Sequence, residues 1–268
     1  MKDSPILIIG KNGKTGLRVE QRLQALGYAT RGVSRSTAPA FDWEDRATWR
    51  AAMAGTRSAY ISFHPDLAIP AAEQSIRDFV ALAAELGLQH LVLLSGRGED
   101  GARRAELALE EGGLDWNIVR ASWFMQNFSE NFMIEGILNG ELMLPAGDIV
   151  EPFIDVDDIA EVAVATLTRP ELRNRVFEVS GPRAITFAEC VAAISEATGY
   201  PVKYTQIPIE DFIDGLRGQG APEPLLWLMR ELFTVVFDVR NSRPTGGVEE
   251  ALGRPATDFS EYLRKVMA

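Results

Sequence analysis

Lysine is missing from the whole stretch between Lys14 and Lys203. A Tyr-x-x-x-Lys acid pair, a common proton source for carbonyl reduction, is therefore excluded there. Cysteine is represented only by Cys190, so no disulfide can form within the chain, and a cytoplasmic location is expected. No apolar run approaches the roughly 18–20 residues of a membrane span. No leader is read ahead of the first strand, because Met1–Pro5 runs straight into it. No block rich in lysine or arginine stands out, and the net charge of −11 opposes binding to nucleic acid or anionic lipid. A cationic small molecule suits that charge, and so does solubility alone. Histidine is confined to His64 and His90. No metal site is expected.

What is present is an ordinary globular composition, 46% hydrophobic and 24% charged over 268 residues. Residues 5–9 read as a buried parallel strand, followed by a helix with Val19, Leu23 and Leu26 on one face and Gly27 at its end. Residues 29–34 form a second strand, 41–42 a short third one, and 45–53 a short helix. A strand over 59–63 closes at His64-Pro65. The helix over 70–86 places Ala72, Ile76, Phe79, Val80 and Ala83 on one face. Residues 91–94 and 116–120 read as further strands, with a helix over 101–111 between them. This alternation predicts an α/β fold, a doubly wound parallel Rossmann sheet. The sheet domain is expected to cover 1–150, with a strand returning to it near 174–181. A smaller α/β lobe over 151–268 is expected to bind substrate. Asp158-x-x-Glu161 and Thr186-x-x-Glu189 read as capping boxes. Residues 202–207 are strand-like, and 223–237 read as an apolar helix carrying Trp227, Met229, Leu232 and Phe233.

Gly10, Gly13 and Gly16 stand three apart between the first strand and the first helix. A loop in that place lets backbone N–H groups approach a pyrophosphate, and the helix N-terminus adds partial positive charge. Asn12, Lys14 and Thr15 belong to the same candidate site, although Lys11 and Lys14 also read as solvated loop charges. The second strand ends in Ser34-Arg35, with no acid in Thr30–Ser36. An acid there would bind a ribose 2′-hydroxyl, whereas arginine suits a 2′-phosphate, so NADP(H) is favoured over NAD(H). Asp42 and Trp43 fall where an adenine would lie, and Trp43 reads equally as core. Phe63 is a further cofactor candidate at its strand end.

The strings Gly10–Gly16, Ser34-Arg35-Ser36, Phe41-Asp42-Trp43 and Trp123–Glu130 resemble the NmrA-like atypical short-chain dehydrogenases. Pro152–Ala160, Gly181-Pro182 and Thr186-Phe187 extend the match, which weakens after about Gly215. Within these, the chain looks most like the branch of festuclavine and agroclavine dehydrogenases and their bacterial relatives. The resemblance implies a Rossmann core, a small C-terminal substrate lobe and, as a rule, NADPH. Where relatives often carry a catalytic lysine, ahead of Glu106, this chain reads Gly101-Ala102-Arg103-Arg104.

Reducing a carbonyl needs a proton donor or an oxyanion partner. By position the candidates are His64 and Ser95 for catalysis, with Ser95 also near the cofactor and Arg97 near a substrate. An iminium changes this need, because hydride alone converts the cation to a neutral amine. Substrate candidates are His64, Arg97, Trp123, Phe124, Asn127, Phe128 and Trp227, the aromatic members offering ring faces to a cation. Phe153 reads as core. The leading expectation is an NAD(P)H-dependent oxidoreductase acting on a small, partly apolar imine or iminium, or on a C=C or C=O bond. The rivals are a non-catalytic dinucleotide sensor that binds protein partners and a non-redox enzyme such as a cyclase. A monomer or homodimer is expected.

Overall fold

A computed structural model describes residues 4–130 and 133–266. In chain order the first elements are β1 (Ile6–Ile9), α1 (Lys14–Ala25), β2 (Thr30–Val33), α2 (Trp49–Met53), β3 (Ser58–Ile61), α3 (Ala72–Glu85), β4 (His90–Gly96), α4 (Asp100–Glu110) and β5 (Asp115–Ala121). There follow α5 (Met133–Leu138), β6 (Glu141–Leu144), α6 (Val156–Thr168), β7 (Arg175–Val179), α7 (Phe187–Thr198) and β8 (Lys203–Gln206). The chain continues through α8 (Ile209–Gly218), α9 (Glu223–Glu231), α10 (Gly247–Leu252) and α11 (Phe259–Val266). Among the described residues no helix is long and apolar enough to cross a membrane.

The main sheet runs β2-β1-β3-β4-β5-β7 and every pair in it is parallel. The inner strands β1, β3 and β4 are almost wholly buried because helices cover both faces, whereas the edge strands β2 and β7 carry polar and half-buried residues. Leu7 and Ile9, Ala59 and Ile61, and Leu91 and Leu93 share one face with Trp49, Phe79, Ala105 and Leu109 of α2, α3 and α4. Alternate residues such as Ile8, Tyr60 and Val92 point to the opposite face, and they too are fully buried. The chain moves outward from β1 to β2 and then crosses back to β3. The carboxyl ends of β1 and β3 therefore form the switch point at which such sheets bind ligands.

Helix ends follow local chemistry. Gly27 has φ +78°, and its N–H and that of Tyr28 reach the Gln24 and Leu23 carbonyls at 2.9 and 3.0 Å, stopping α1. Thr186 and Glu189 form the expected capping box at the start of α7. The second expected box does not form. α6 begins at Val156, so Asp158 lies inside its first turn. There Arg254 Nη2 donates to Asp158 and Glu161 at 2.7 and 2.6 Å, an ion pair in place of a cap. Phe41 and Asp42 lie outside any strand. The Phe41 ring instead packs on Trp43, Trp49 and Phe79, a demand that competes with extended pairing. The helix expected over 223–237 is α9 followed by a π-helical turn, Leu232–Val236.

The chain divides into two compact units. The first takes residues 1–121, 156–179 and 247–254, and so contains the whole main sheet. The second takes 122–155, 180–246 and 255–268. Residues 122–155 thus belong to the second unit, while α6 and α10 belong to the first together with β7, which stands where the returning strand was expected. Within the second unit β6 pairs in parallel with β8, from Glu141↔Lys203 to Leu144↔Gln206. Its core is largely aromatic, built on Phe128, Phe153, Phe187, Phe233, Phe237 and Phe259.

Candidate functional site

The glycine loop lies between β1 and α1, at the switch point of the first unit. Gly10 has φ +77°, a conformation an L side chain rarely adopts. A Cβ on Gly16 would collide with the Gly10 carbonyl oxygen, so only glycine lets α1 start this close to β1. Gly13 caps α1 in extended conformation, φ −81° and ψ 166°, without a side-chain cap. The first-turn N–H groups of a twelve-residue helix thus open onto the loop with no protein acceptor supplied by the cap. Asn12 and Gly13 are exposed, Gly10 and Lys14 are half-buried, and Thr15 is buried. Behind the loop the Tyr60 side chain is fully buried, and burial pushes its pKa well up. This geometry fits a pyrophosphate: donors and a helix N-terminus face a space cleared of side chains.

At the end of β2, Asn12 Nδ2 donates to Ser34 Oγ at 3.3 Å, and Ser34 Oγ lies 3.1 Å from Ser36 Oγ. The Ser36 N–H also points to Ser34 Oγ, at 3.3 Å. Arg35 is exposed beside them. Hydroxyl, amide and guanidinium groups are gathered with no carboxylate in Thr30–Ser36, the donor set a phosphate needs. Asp42 and Trp43 are turned to structural use. Asp42 Oδ1 accepts from the Glu44 N–H at 3.1 Å, and its carbonyl accepts from Trp49 Nε1 at 2.7 Å. Trp43 packs tilted on Phe63, centroids 4.7 Å apart, and its Nε1 donates to the Ser62 carbonyl at 3.3 Å. Both Trp43 and Phe63 are half-buried against the sheet core.

The ends of β3 and β4 hold the catalytic candidates. His64 is exposed. Ser95 is 4% exposed, and its Oγ donates to Glu106 Oε1 at 2.6 Å. Glu106, on α4, is fully buried. Arg120 of β5 grips it in a fork, Nε at 2.9 Å and Nη2 at 2.6 Å, and Arg103 adds a bond at 2.9 Å. Burial alone would raise its pKa, but the bonds from Arg120, Ser95 and Arg103 outweigh that and hold it below the ordinary value. Glu106 is thus an anion, and the hydroxyl proton of Ser95 is committed to it. Arg97, 7% exposed, is likewise taken up by Glu178 of β7 at 2.7 Å. Ser95 and Arg97 therefore belong to one ion network, joined where Arg120 Nη1 approaches Glu178 at 3.5 Å. Glu106 was not among the site residues expected from the sequence.

The second unit holds the remaining candidates. Trp123 is half-buried and meets Phe187, Phe233 and Phe237 with centroids 5.7, 5.1 and 5.6 Å away. Phe128 is 2% exposed among Phe153, Phe187 and Phe259. Its ring is core rather than ligand wall, as is that of Phe153. Phe124 and Asn127 are half-buried beside it, and Trp227 is 42% exposed on α9. The polar centre of this string is one the sequence did not single out. Gln126 is buried, and its Nε2 donates to the buried Asp155 at 2.7 Å. The bridge Phe124↔Ile154 runs alongside. No local periodicity marks a contact between residues so far apart in sequence.

Comparison with known proteins fits this geometry. A sequence model of the NmrA-like family matches residues 104–264. The NAD(P)H azoreductase of Xenophilus azovorans is 28% identical over 97% of this chain and 96% of its own. Agroclavine dehydrogenase of Claviceps fusiformis is 26% identical over 96% of each chain. Among solved structures, an NADPH-dependent quinone oxidoreductase from Escherichia coli in complex with NADPH superposes with a TM-score of 0.82. It is 19% identical, over 98% of this chain and all of that one, a likeness of fold.

Proposed function

The chain belongs to the NmrA-like family, and from that premise we propose that it is an NADP(H)-dependent reductase of a small, partly apolar imine or iminium. Its relatives include NAD(P)H-dependent oxidoreductases, which supports the redox class. The observation that carries the finer reading is the bond from Ser95 to Glu106. The strand end where a proton donor would stand offers a hydroxyl whose proton is already held by a buried carboxylate. α4 brings Arg103 and Glu106 into ion pairs rather than a Tyr–Lys pair. Such a site is poor at protonating an alkoxide and indifferent to the lack when the product is a neutral amine.

A bound NADPH supplies the hydride. This chain's own part is to hold the cofactor and neutralise its charge. The first-turn N–H groups of α1, beyond the Gly13 cap, take the pyrophosphate, and Ser34 and Arg35 take the 2′-phosphate. Catalysis then rests on placing a cationic acceptor against the reduced ring, the kind of positioning that lowers barriers without proton transfer.

The test mixes purified protein and NADPH with a cyclic imine, an enone, a quinone and an azo dye, following absorbance of the reduced cofactor. Oxidation by the imine is expected. His64→Ala and Ser95→Ala should each slow single-turnover oxidation less than about tenfold, against the ~10²–10⁴-fold typical of losing a general acid. A loss of about a thousandfold in His64→Ala, with cofactor binding intact, identifies a proton donor and overturns the iminium reading. Tight NADPH binding with no turnover on any acceptor overturns the enzyme.

A further inference from the structure

Asn12 stands in the glycine loop and Ser34 at the end of β2, and their side chains meet. The register of β1 on β2 brings this about. Ile9 pairs with Val33, and just beyond the ladder the Lys11 N–H reaches the Val33 carbonyl at 3.4 Å. The next residue on each side is then within side-chain reach, and Asn12 Nδ2 donates to Ser34 Oγ at 3.3 Å. The backbone of Ser34 is taken up inside its own loop. Its N–H donates to Thr37 Oγ1 at 2.9 Å, and its carbonyl accepts from the Phe41 N–H at 3.0 Å. What Ser34 offers outward is its hydroxyl.

That hydroxyl has a direction. A serine oxygen carries one proton and two lone pairs. Asn12 Nδ2 fills one lone pair of Ser34, and the Ser36 N–H, at 3.3 Å, fills the other. Ser34 Oγ also lies 3.1 Å from Ser36 Oγ. With both lone pairs of Ser34 taken, the proton between the two oxygens is that of Ser34, and Ser36 accepts it. The proton of Ser36 is then turned away from Ser34. The bonds run one way, from Asn12 to Ser34 to Ser36, and end on an exposed hydroxyl beside the exposed Arg35, whose guanidinium can only donate. A ribose 2′-hydroxyl is held best by a carboxylate that takes its proton, and Thr30–Ser36 has none. A phosphate only accepts, so it matches a relay that ends in a donor.

We propose that Asn12 and Ser36 are specificity-determining residues of the dinucleotide site: Asn12 fixes the direction of the relay, and Ser36 delivers its last proton to the 2′-phosphate of NADPH. Asn12 acts through Ser34 and is a positioning residue, whereas Ser36 is a ligand of the phosphate. Without Asn12 a lone pair of Ser34 is open, the Ser36 hydroxyl can donate into it, and the relay turns its last proton inward. The inference rests on the 2′-phosphate site of the proposed function and extends it from the end of β2 into the glycine loop.

The test is calorimetric binding of NADPH and of NADH, which requires no turnover. It compares wild type with Asn12→Ala, Ser34→Ala, the double variant, Ser36→Ala and Ser34→Thr. Wild type should favour NADPH. Asn12→Ala, Ser34→Ala and Ser36→Ala should each cut that preference about tenfold, the loss of one hydrogen bond. Ser34→Thr keeps the hydroxyl and should keep the preference. Because Asn12 acts through Ser34, adding Asn12→Ala to Ser34→Ala should cost almost nothing more, a non-additivity that the double-mutant cycle reads directly. Losses that add in the double variant overturn the relay and leave the proposed function standing. So does a loss in Asn12→Ala shared equally by NADPH and NADH, which would make Asn12 a general support of the glycine loop. A wild type that binds NADH as tightly as NADPH overturns the relay together with the NADP(H) reading it rests on.

Discussion

At β4, His90 Nε2 lies 2.9 Å from Asn117 Oδ1 in a buried pocket. The orientation of that amide is fixed from elsewhere, since Asn117 Nδ2 donates to the Leu172 and Arg175 carbonyls at 2.7 and 3.0 Å. Oδ1 must then accept, so His90 carries its proton on Nε2 and is neutral. Burial is the main cause that lowers its pKa, to about 4. An unfolded histidine takes up its proton near pH 6.5, roughly. Stability is therefore present above that pH and drains away as pH falls toward 4. Between pH 7 and pH 5 His90 should cost the wild type about 2 kcal/mol. Denaturant unfolding at the two pH values should show that difference shrink in His90→Gln, and an unchanged difference would refute the assignment. Arg35 makes the opposite kind of case, an exposed residue whose value depends on a ligand. One charge-assisted contact to a phosphate contributes roughly 1.5–3 kcal/mol. Arg35→Ala should weaken NADPH by about one to two orders of magnitude and leave NADH nearly unchanged. Equal losses for both would remove Arg35 from the 2′-phosphate.

At the scale of elements, the β1–α1 turn shows how three glycines in one motif carry different loads. Gly16 stands against the Gly10 carbonyl and Gly13 is exposed, its would-be Cβ 3.2 Å from the same oxygen. Gly16→Ala should therefore damage the fold itself, lowering the melting temperature and dinucleotide binding together. Gly13→Val should leave cooperative melting intact while calorimetry finds no dinucleotide binding, because its side chain fills the space the pyrophosphate needs. Retained binding in Gly13→Val would reduce the loop to a plain turn. The six strands of the main sheet, the helix α3 and the capping box at Thr186 were legible in sequence because each is written in neighbouring residues, whereas the strand expected at 41–42 did not form and β6 was not foreseen. The network at Ser95 was not. Its members, Glu106, Arg120 and Glu178, meet only once α4 is laid across β4 and β5, and a helix of alternating charges gives no sign of which glutamate turns inward. Asp158 misled for a related reason. A capping pattern can sit one half-turn inside a helix when a distant arginine, here Arg254, takes the carboxylates.

At the scale of the whole molecule, a net charge of −11 opposes an anionic cofactor. Close to the cradle, Lys11, Lys14 and Arg35 attract it. The two effects act over different distances. Salt shortens the reach of the general repulsion from about 30 Å at 0.01 M to about 8 Å at 0.15 M, and it weakens a contact pair much less. The association rate of NADPH should thus rise about twofold or more over that change in salt, by stopped-flow quenching of tryptophan fluorescence. A fall in rate would mean that local attraction governs the approach as well. Global features divided in the same way as local ones in what sequence disclosed. The parallel sheet was legible from alternation of strand and helix. The boundary between units was not, because composition does not change where the chain leaves one core for the other at Ser122, Val156, Ser180, Gly247 and Pro255.

That threading bears on how the protein is made. A ribosome delivers the chain from its first residue, so β5 emerges well before β7, the strand that pairs along its outer side from Asn117↔Arg175 to Ala121↔Val179. The whole of 122–155, belonging to another core, must be synthesised in between. At roughly 5–20 residues per second, the nascent sheet spends several seconds with the hydrogen-bonding groups of β5 uncovered. Such an edge is a template for joining a second chain. Translation stalled anywhere between Ser122 and Val179 would leave a fragment that is nearly a sheet and prone to clump, and a nascent-chain chaperone would find its natural footprint there.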